Sequence, residues 1–350
     1  MFMRFIHIAD VHLGASPDAG KAYTGVRAQE LWDTFEKVLA ICEEEKTDLL
    51  LIAGDLFHRQ PLLRELKEVD YLFSKLTHTQ VVLIAGNHDF IRKDSYYKTF
   101  HWGENVYPLF GEELRVARFP ELETAVYGMS YHTREIEDAL YDHVKAKSMA
   151  RHEILLAHGG DEKHIPIRRD TFAGSGFDYV AMGHIHKQQT LEKNRVMYAG
   201  SLEPTDKNDT GHHGFVRGEI TENGTIAEFV PFSKREYLHL VLPVKEYMTE
   251  YEIRDRMERT IEAHGRQHIY RFILRGERSL DLELSDVLME TADNIIEITD
   301  ETTPALDIER IHKENRNNLI GKYIETFGAY EEGSLAYQAL CEGLRALLKE

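Results

Sequence analysis

Short apolar runs alternate with segments of helical period through the first half of the chain, and most of the runs end on polar side chains. RFIHIAD (4–10) reads as a buried strand that ends in a carboxylate. Val26, Leu31, Phe35, Val38, Leu39 and Ile41 lie close to a helical period over 25–45. DLLLIAGD (48–55) is a continuous apolar run closed by Gly-Asp, as expected of a strand buried on both faces. A helix over about 62–76 follows, then QVVLIAGNHD (80–89), a strand of the same design. Strand, helix, strand, helix, strand predicts an α/β layered fold.

Further along, a β-hairpin is expected around 114–130, and REIEDALYDHVKAKSMA (134–150) has the look of a helix. HEILLAHGG and FDYVAMGHIH then resume the apolar run with a polar tip. GFVRGEITENGTIAEFVPF reads as a hairpin turning at Asn223-Gly224. After SKRE (233–236) the style changes. YLHLVLPV is a strand, Thr249 with Glu252 forms a capping box, and Ile253, Met257 and Ile261 share one helical face. RFILRG and NIIEIT add strands, a charged helical segment spans about 307–326, and Leu340, Leu344, Leu347 and Leu348 stripe a terminal helix. The expected organisation is an α/β domain over 1–235, an α+β module over 236–302 and a helical segment over 303–350.

The tips carry the chemistry. Asp10-x-His12 follows the first strand, Gly54-Asp55 the second, Gly86-Asn87-His88-Asp89 the third, His158-Gly159-Gly160 a fourth and Gly183-His184-x-His186 a fifth. Ligands of α/β sheets gather outside the carboxyl ends of the strands, so these tips should converge. In an extended segment alternate residues face the same way, which would aim both members of each x-separated pair at one site. Nitrogen and oxygen donors without thiolates suit Mn²⁺, Zn²⁺ or Fe²⁺. Asp10, His12, Asp55, Asn87, His158, His184 and His186 are too many donors for one ion with room for substrate; two ions bridged by a carboxylate fit better.

Composition narrows the setting. Two cysteines, Cys42 and Cys341, imply no disulfide framework, and no apolar segment is long enough for a signal peptide or membrane span. A soluble cytoplasmic protein is expected. The net charge of −18 argues against a surface that coats nucleic acid generally, though not against a local positive cleft. Two divalent ions would offset Asp10 and Asp55 and leave that cleft about +1 once a hydroxide is counted.

In order, spacing and residue type the set DxH, GD, GNHD, H and GHxH resembles the calcineurin-like metallophosphoesterase superfamily over residues 1 to about 232. ADVHLG (9–14), GDLFH (54–58) and GSLEP (200–204) are similar to SbcD-type DNA repair exonucleases, the nuclease partners of SbcC-type ATPases. The resemblance implies a two-layered βα sandwich with a small capping domain. It implies that Asp10, His12, Asp55 and His186 hold one metal, and that the bridging Asp55 holds the second with Asn87, His158 and His184. It also implies that His88 is the catalytic imidazole oriented by Asp89, and that His58 helps position the DNA phosphate, against a plain loop histidine. Mn²⁺ is the expected cofactor, with Fe²⁺, Zn²⁺ or Mg²⁺ as alternatives; DNA, a second copy of the chain and an SbcC-like ATPase are the expected partners. Arg59, Arg92, Lys93, Lys98 and Lys187 flank the tips and either contact phosphates or face solvent. The terminal leucine stripe is either core or the ATPase-docking element. The competing functions are a phosphoesterase acting on a nucleotide, small phosphodiester or phosphoprotein, and a catalytically dead scaffold.

Overall fold

The computed structural model describes residues 2–21, 23–279, 281–288, 294–331 and 334–348. The chain divides into two compact units, one running up to Leu238 with Gln267–Ile269, the other comprising His239–Arg266 and Tyr270 onward. The first unit contains β1 (Met3–Ile8), α1 (Thr24–Glu44), β2 (Leu49–Ala53), α2 (Leu63–Phe73), β3 (Gln80–Ile84), β4 (Val106–Pro108), β5 (Arg115–Phe119) and β6 (Thr124–Gly128). It continues with β7 (His152–His158), β8 (Tyr179–Gly183), β9 (Gln189–Glu192), β10 (Val196–Tyr198), β11 (Gly214–Thr221) and β12 (Gly224–Pro231).

These strands make two mixed six-stranded sheets, ordered β12-β11-β1-β2-β3-β4 and β5-β6-β7-β8-β10-β9. In the first, β1 to β4 run parallel and the β11–β12 hairpin adds antiparallel to β1. In the second, β6, β7, β8 and β10 run parallel, with β5 and β9 antiparallel at the edges. Every residue of β2, β7 and β8 is buried because both faces of each strand are covered. Phe5, Leu49, Leu51, Val82 and Ile84 pack against Val126, Ile154, Leu156, Tyr179 and Ala181 between the sheets. Leu31, Phe35 and Val38 of α1, with Leu66, Val69 and Phe73 of α2, cover the other face of the first sheet. The α/β class expected from the strand–helix alternation is the architecture found.

Among the described residues, the outer face of the second sheet is covered by non-helical segments carrying Tyr131, Tyr141, Ile165 and Phe172. Residues 134–150 form turns and a single bridge, not the helix expected from their composition. The reason is tertiary. The buried Glu153 carboxylate accepts from the backbone N–H groups of Lys147, Met149 and Ala150. Ile136 exchanges backbone bonds with the strand-like stretch at Lys163 and Ile165. Tyr141 is drawn into the core beside Phe172. These partners satisfy the donors that a helix would pair with its own carbonyls, so helical propensity loses to them.

The GSLEP stretch is pinned to α1 by buried charge. Arg27 Nη1 donates to Glu30 at 2.8 Å and stands 3.7 Å from Glu203, while Thr34 donates to Glu203 at 2.6 Å and Arg235 to Glu30 at 2.7 Å. Burial works against Glu30 as an anion, yet Arg235 and Arg27 hold its carboxyl down at about 2.

In the second unit a three-stranded sheet is ordered β13-β14-β15. Its elements are β13 (Tyr237–Val244, beginning in the first unit), α3 (Glu250–His264), β14 (Ile269–Arg278), α4 (Ser285–Leu288) and β15 (Ile295–Pro304), followed by α5 (Ile308–Asn315), α6 (Leu319–Phe327) and α7 (Leu335–Leu347). Thr249 caps α3 with Glu252 as its sequence suggests, and Ile253, Met257 and Ile261 are buried. The charged segment near 307–326 is two short helices, because Asn318 turns its side chain onto the N–H groups of Ile320 and Gly321 and starts a new one. Leu340 and Leu344 of the terminal stripe pack with Ile308, Ile311 and Ile324. No helix among the described residues is long and apolar enough to cross a membrane.

Candidate metal centre

Each tip leaves its strand at the carboxyl end: Asp10 two residues past β1, Asp55 past β2, Asn87 past β3, His158 closing β7 and His184 just after β8. The segments are not extended there. Asp10, His12 and Asp55 have φ of 50°, 52° and 50°, and His184 has 97°. The expectation that Asp10 and His12 share a direction through strand alternation is therefore replaced by left-handed backbone, which costs on the order of 1–3 kcal/mol at each such residue. Backbone bonds hold it in place: Asp10 N–H to Gly54 O, His12 N–H to Asp55 O and Leu13 N–H to Leu56 O, at 3.1, 3.0 and 2.9 Å.

The seven side chains converge. Asp10, His12 and His186 offer ligand atoms within 4.8 Å of one another, as do Asp10, Asp55 and His158. His12 Nε2 and His186 Nε2 lie 3.0 Å apart. Asn87 Oδ1 stands 3.0 Å from His158 Nε2 and 3.1 Å from His184 Nδ1, and His158 Nε2 is 3.5 Å from Asp55 Oδ2. Asp10 belongs to both groups, and the other oxygen of Asp55 accepts from the His88 N–H at 2.9 Å.

The far side of each ring decides what faces inward. His158 Nδ1 donates to the Ala53 carbonyl at 2.8 Å, His184 Nε2 to Asp161 at 2.7 Å and His186 Nδ1 to Asp209 at 3.0 Å. With those nitrogens protonated, the inward nitrogen of each neutral ring is a lone pair. Lone pairs and carboxylate oxygens then face one another without a proton between them, and buried His12 Nδ1 has no partner at all. Such a constellation asks for positive charge. Burial pushes the Asp10 carboxyl up to about 6 against the pull of His158 and His186. Without a cation, Asp55 and Asp10 overcome the cost of burial and bring His158 up to about 9, so that a proton on its inward nitrogen stands where a metal would otherwise supply the charge. Burial and neighbouring His158 take His184 down to about 4. The donor set fits a pair of divalent cations of the borderline kind.

Glycine is needed where backbone and ligands touch. A Cβ on Gly54, at φ +92°, would fall 2.3 Å from His158 Nδ1, and one on Gly86 would fall 2.3 Å from Asp55 Oδ1 and 2.6 Å from His158 Nε2.

His88 and His58 stand beside this cluster. Their ring centroids are 5.0 Å apart, and each lies within 5.3 Å of His12. His58 is exposed, and burial of part of its ring with His88 alongside lowers its pKa. Asp89 does not orient His88. Its carboxylate is wholly buried and accepts from Gly86 N–H at 2.8 Å, Phe57 N–H at 3.2 Å and Tyr97 OH at 2.8 Å. The His88 ring is anchored instead by the His58 carbonyl, 3.0 Å from Nδ1. A carboxylate that must satisfy three donors in the interior cannot also turn out to the imidazole.

Of the basic residues, Arg59 is engaged bidentately by Glu65 at 2.7 and 2.9 Å, and Arg92 pairs with Asp94 at 3.2 Å. Lys93, Lys98 and Lys187 are exposed. The sequence reading missed Asp161 and Asp209, which lie in polar loops where a carboxylate is ordinary; the only local hint was an acid directly after His158-Gly159-Gly160. It also missed the tyrosines that clamp the fourth tip. Tyr131 and Tyr198 donate to the carbonyls of His158 and Gly159, and Tyr141 OH accepts from the His158 N–H.

Residues 3–188 match the family model described as calcineurin-like phosphoesterase. An uncharacterized metallophosphoesterase of Bacillus subtilis strain 168, YhaO, is 30% identical over 255 residues, covering 65% of this chain and 60% of that protein. DNA double-strand break repair protein Mre11 of Methanocaldococcus jannaschii is 29% identical over 230 residues, covering 59% of this chain and 58% of its own. The Mre11 of Methanopyrus kandleri is 28% identical over an alignment of 356 positions, covering 89% of this chain and 76% of its own. The chain thus spans less than two thirds of the first two relatives' length. Since the matched stretch takes in every strand tip from Asp10 to His186 and more than half of the chain, the protein belongs to the calcineurin-like phosphoesterase family.

Proposed function

We propose that this phosphoesterase is a DNA nuclease that hydrolyses phosphodiester bonds, acting as an exonuclease, with endonucleolytic cleavage open to the same site. The observation that carries this reading is the similarity to a Mre11 repair protein, which extends over 89% of the chain and so beyond the phosphoesterase match. In this reading Asp10, His12, Asp55 and His186 hold one divalent ion, and Asp55, Asn87, His158 and His184 the other, with Mn²⁺ the first choice. When bound, such ions supply an activated water and offset the charge that builds on the phosphoryl oxygens.

The protein's own groups do the rest. Asp10 and Asp55 oppose the charge of the ions without cancelling it, and Asn87 contributes an oxygen at no cost in charge. A protonated His88 donates through Nδ1 to the His58 carbonyl, which leaves Nε2 to donate to the departing sugar oxygen. His58, exposed at the rim, is suited to contact the phosphate. A net charge of −18 goes with modest intrinsic DNA affinity and dependence on a partner. Accordingly the proposal includes a homodimer, an SbcC-like ATPase partner, a DNA-capping role for 236–302 and ATPase docking by 303–350.

The same charge favours a second reading, a phosphoesterase acting on a nucleotide, small phosphodiester or phosphoprotein. Digestion of end-labelled duplex and single-stranded DNA with Mn²⁺, alongside bis(p-nitrophenyl) phosphate, separates the two. The nuclease reading expects DNA cleavage that falls on the order of 10²–10⁴-fold in His88→Ala. Turnover of the small diester with DNA left intact would establish the second reading in its place.

A further inference from the structure

Outside the seven donors, two carboxylates stand behind the ligand rings, Asp161 behind His184 and Asp209 behind His186. We infer that Asp161 and Asp209 are positioning residues, each the outer anchor of a different metal position, so that the two ions can be weakened one at a time from outside the ligand sphere. This rests on the dimetal reading given above.

The geometry is specific to each side. Asp209 Oδ2 lies 3.0 Å from His186 Nδ1, and His186 turns its other nitrogen to His12. Asp161 Oδ2 lies 2.7 Å from His184 Nε2, and His184 turns its other nitrogen to Asn87. Among the described residues each ring has its own outer carboxylate. A carboxylate on the outer nitrogen fixes the tautomer, sets the plane of the ring and raises the basicity of the inner lone pair.

The two anchors are built to different stiffness. Asp209 Oδ2 also accepts from Thr205 N–H, Thr205 Oγ and Asp206 N–H at 3.0, 3.0 and 3.2 Å, and the Asp209 carbonyl is 3.1 Å from His213 Nε2. Its side chain is 16% exposed. Asp161 is 48% exposed and shares its oxygens with the His164 ring and with the N–H groups of Lys163 and His164. His164 can keep Asp161 in place but also competes for it, and water screens the pair. The Asp209 anchor therefore has the larger effect.

Mn²⁺ titration of the full chain, read by equilibrium binding and by electron paramagnetic resonance, tests this. Wild type takes two ions and shows the exchange-coupled signal of neighbouring Mn²⁺. Asp209→Asn and Asp161→Asn each keep one tight ion and lose affinity for the other about 10–100-fold. The loss is larger for Asp209→Asn, and in both the coupled signal gives way to that of an isolated ion. Asp209→Glu restores the second ion, which a merely structural role for Asp209 would not require. In an Asn87→Ala background, Asp161→Asn adds nothing, whereas Asp209→Asn removes the remaining tight ion. Unchanged affinities in both single variants, or equal weakening of both positions by either one, would overturn the inference while leaving the dimetal reading intact. A wild-type chain that binds no Mn²⁺ would overturn that reading itself. Should Asp209→Asn lose its fold, seen as a changed metal-free circular dichroism spectrum, the exposed Asp161 carries the same comparison.

Discussion

Removing one phenol should separate the two roles that Asp89 could have. Tyr97→Phe deletes the 2.8 Å hydrogen bond to Asp89 Oδ2 and leaves the ring packed against Phe110 and Phe57. Burial, reinforced by Asp55, pushes the Asp89 carboxyl up to about 7, while Tyr97 and the Gly86 and Phe57 N–H groups hold it from rising further. Above pH 7 the lost bond is therefore one to an anion, worth about 1.5–3 kcal/mol; well below pH 7 it is one to a neutral acid, worth about 0.5–1.5 kcal/mol. The sign follows from linkage. A group whose folded pKa lies above its unfolded value gives stability that is present at low pH and lost as pH rises through the folded pKa. Without Tyr97 that folded pKa rises further, so the deficit of the variant grows as pH climbs past about 7.

Urea unfolding of metal-free protein at pH 5.5 and pH 8 measures the difference, and turnover of a phosphodiester measures its consequence for the Gly86–His88 loop. The expected result is a destabilisation at pH 8 that exceeds the one at pH 5.5 by roughly 1 kcal/mol. If Asp89 braced the His88 ring, Tyr97→Phe would leave stability alone, and the rate would fall through lost orientation of the acid. Equal stability at both pH values, or a larger deficit at pH 5.5, would refute the view of Asp89 as an internal clamp.

Two further outcomes are expected. His7 is wholly buried beside the Tyr179 hydroxyl, and burial lowers its pKa to about 3. The unfolded chain takes up that proton from about pH 6.5 downward, so folding stability falls by about 1.4 kcal/mol per pH unit below that point. By pH 5 metal-free wild type should have lost on the order of 2 kcal/mol more than His7→Asn, and parallel urea-unfolding curves would exclude His7 as the cause. Gly86→Ala should keep the far-ultraviolet spectrum of the native sheets but weaken Mn²⁺ binding at least tenfold, because its methyl group displaces Asp55 and His158. Wild-type affinity in that variant would show that the loop has room which the distances of 2.3 and 2.6 Å deny.

The strand tips were legible because both signals that mark them are local. An apolar run such as LLLIA states its own burial, and the Asp, Asn or His that ends it belongs to the same few residues. What was hidden depends on partners distant in sequence. Nothing inside 134–150 announces that Glu153 will collect its N–H groups, so helical composition misled there. Nothing in NHDF says that Asp89 turns inward to Tyr97, eight residues on, while His88 is held by a carbonyl thirty residues back. Adjacency suggested a pair, but neighbouring residues in a tight turn diverge, and divergence won.

The left-handed backbone at Asp10, His12, Asp55 and His184 ties the hidden features to the legible ones. None of these four residues is glycine, so each holds its conformation against a local penalty, and the compensation must come from elsewhere. Part of it is visible in the bonds that tie the first tip to the second, from Asp10 to Gly54 and from His12 to Asp55, and in the His184 N–H that donates to Asp10 at 2.9 Å. Those bonds link tips from different strands, and through His184 they link the two sheets. A polar tip free of such bonds would relax to extended backbone and carry its donor away from the others. Convergence of the donors is thus enforced by the main chain before any ion takes part, and the ligand types that made the motifs readable are held in place by backbone geometry that no motif records.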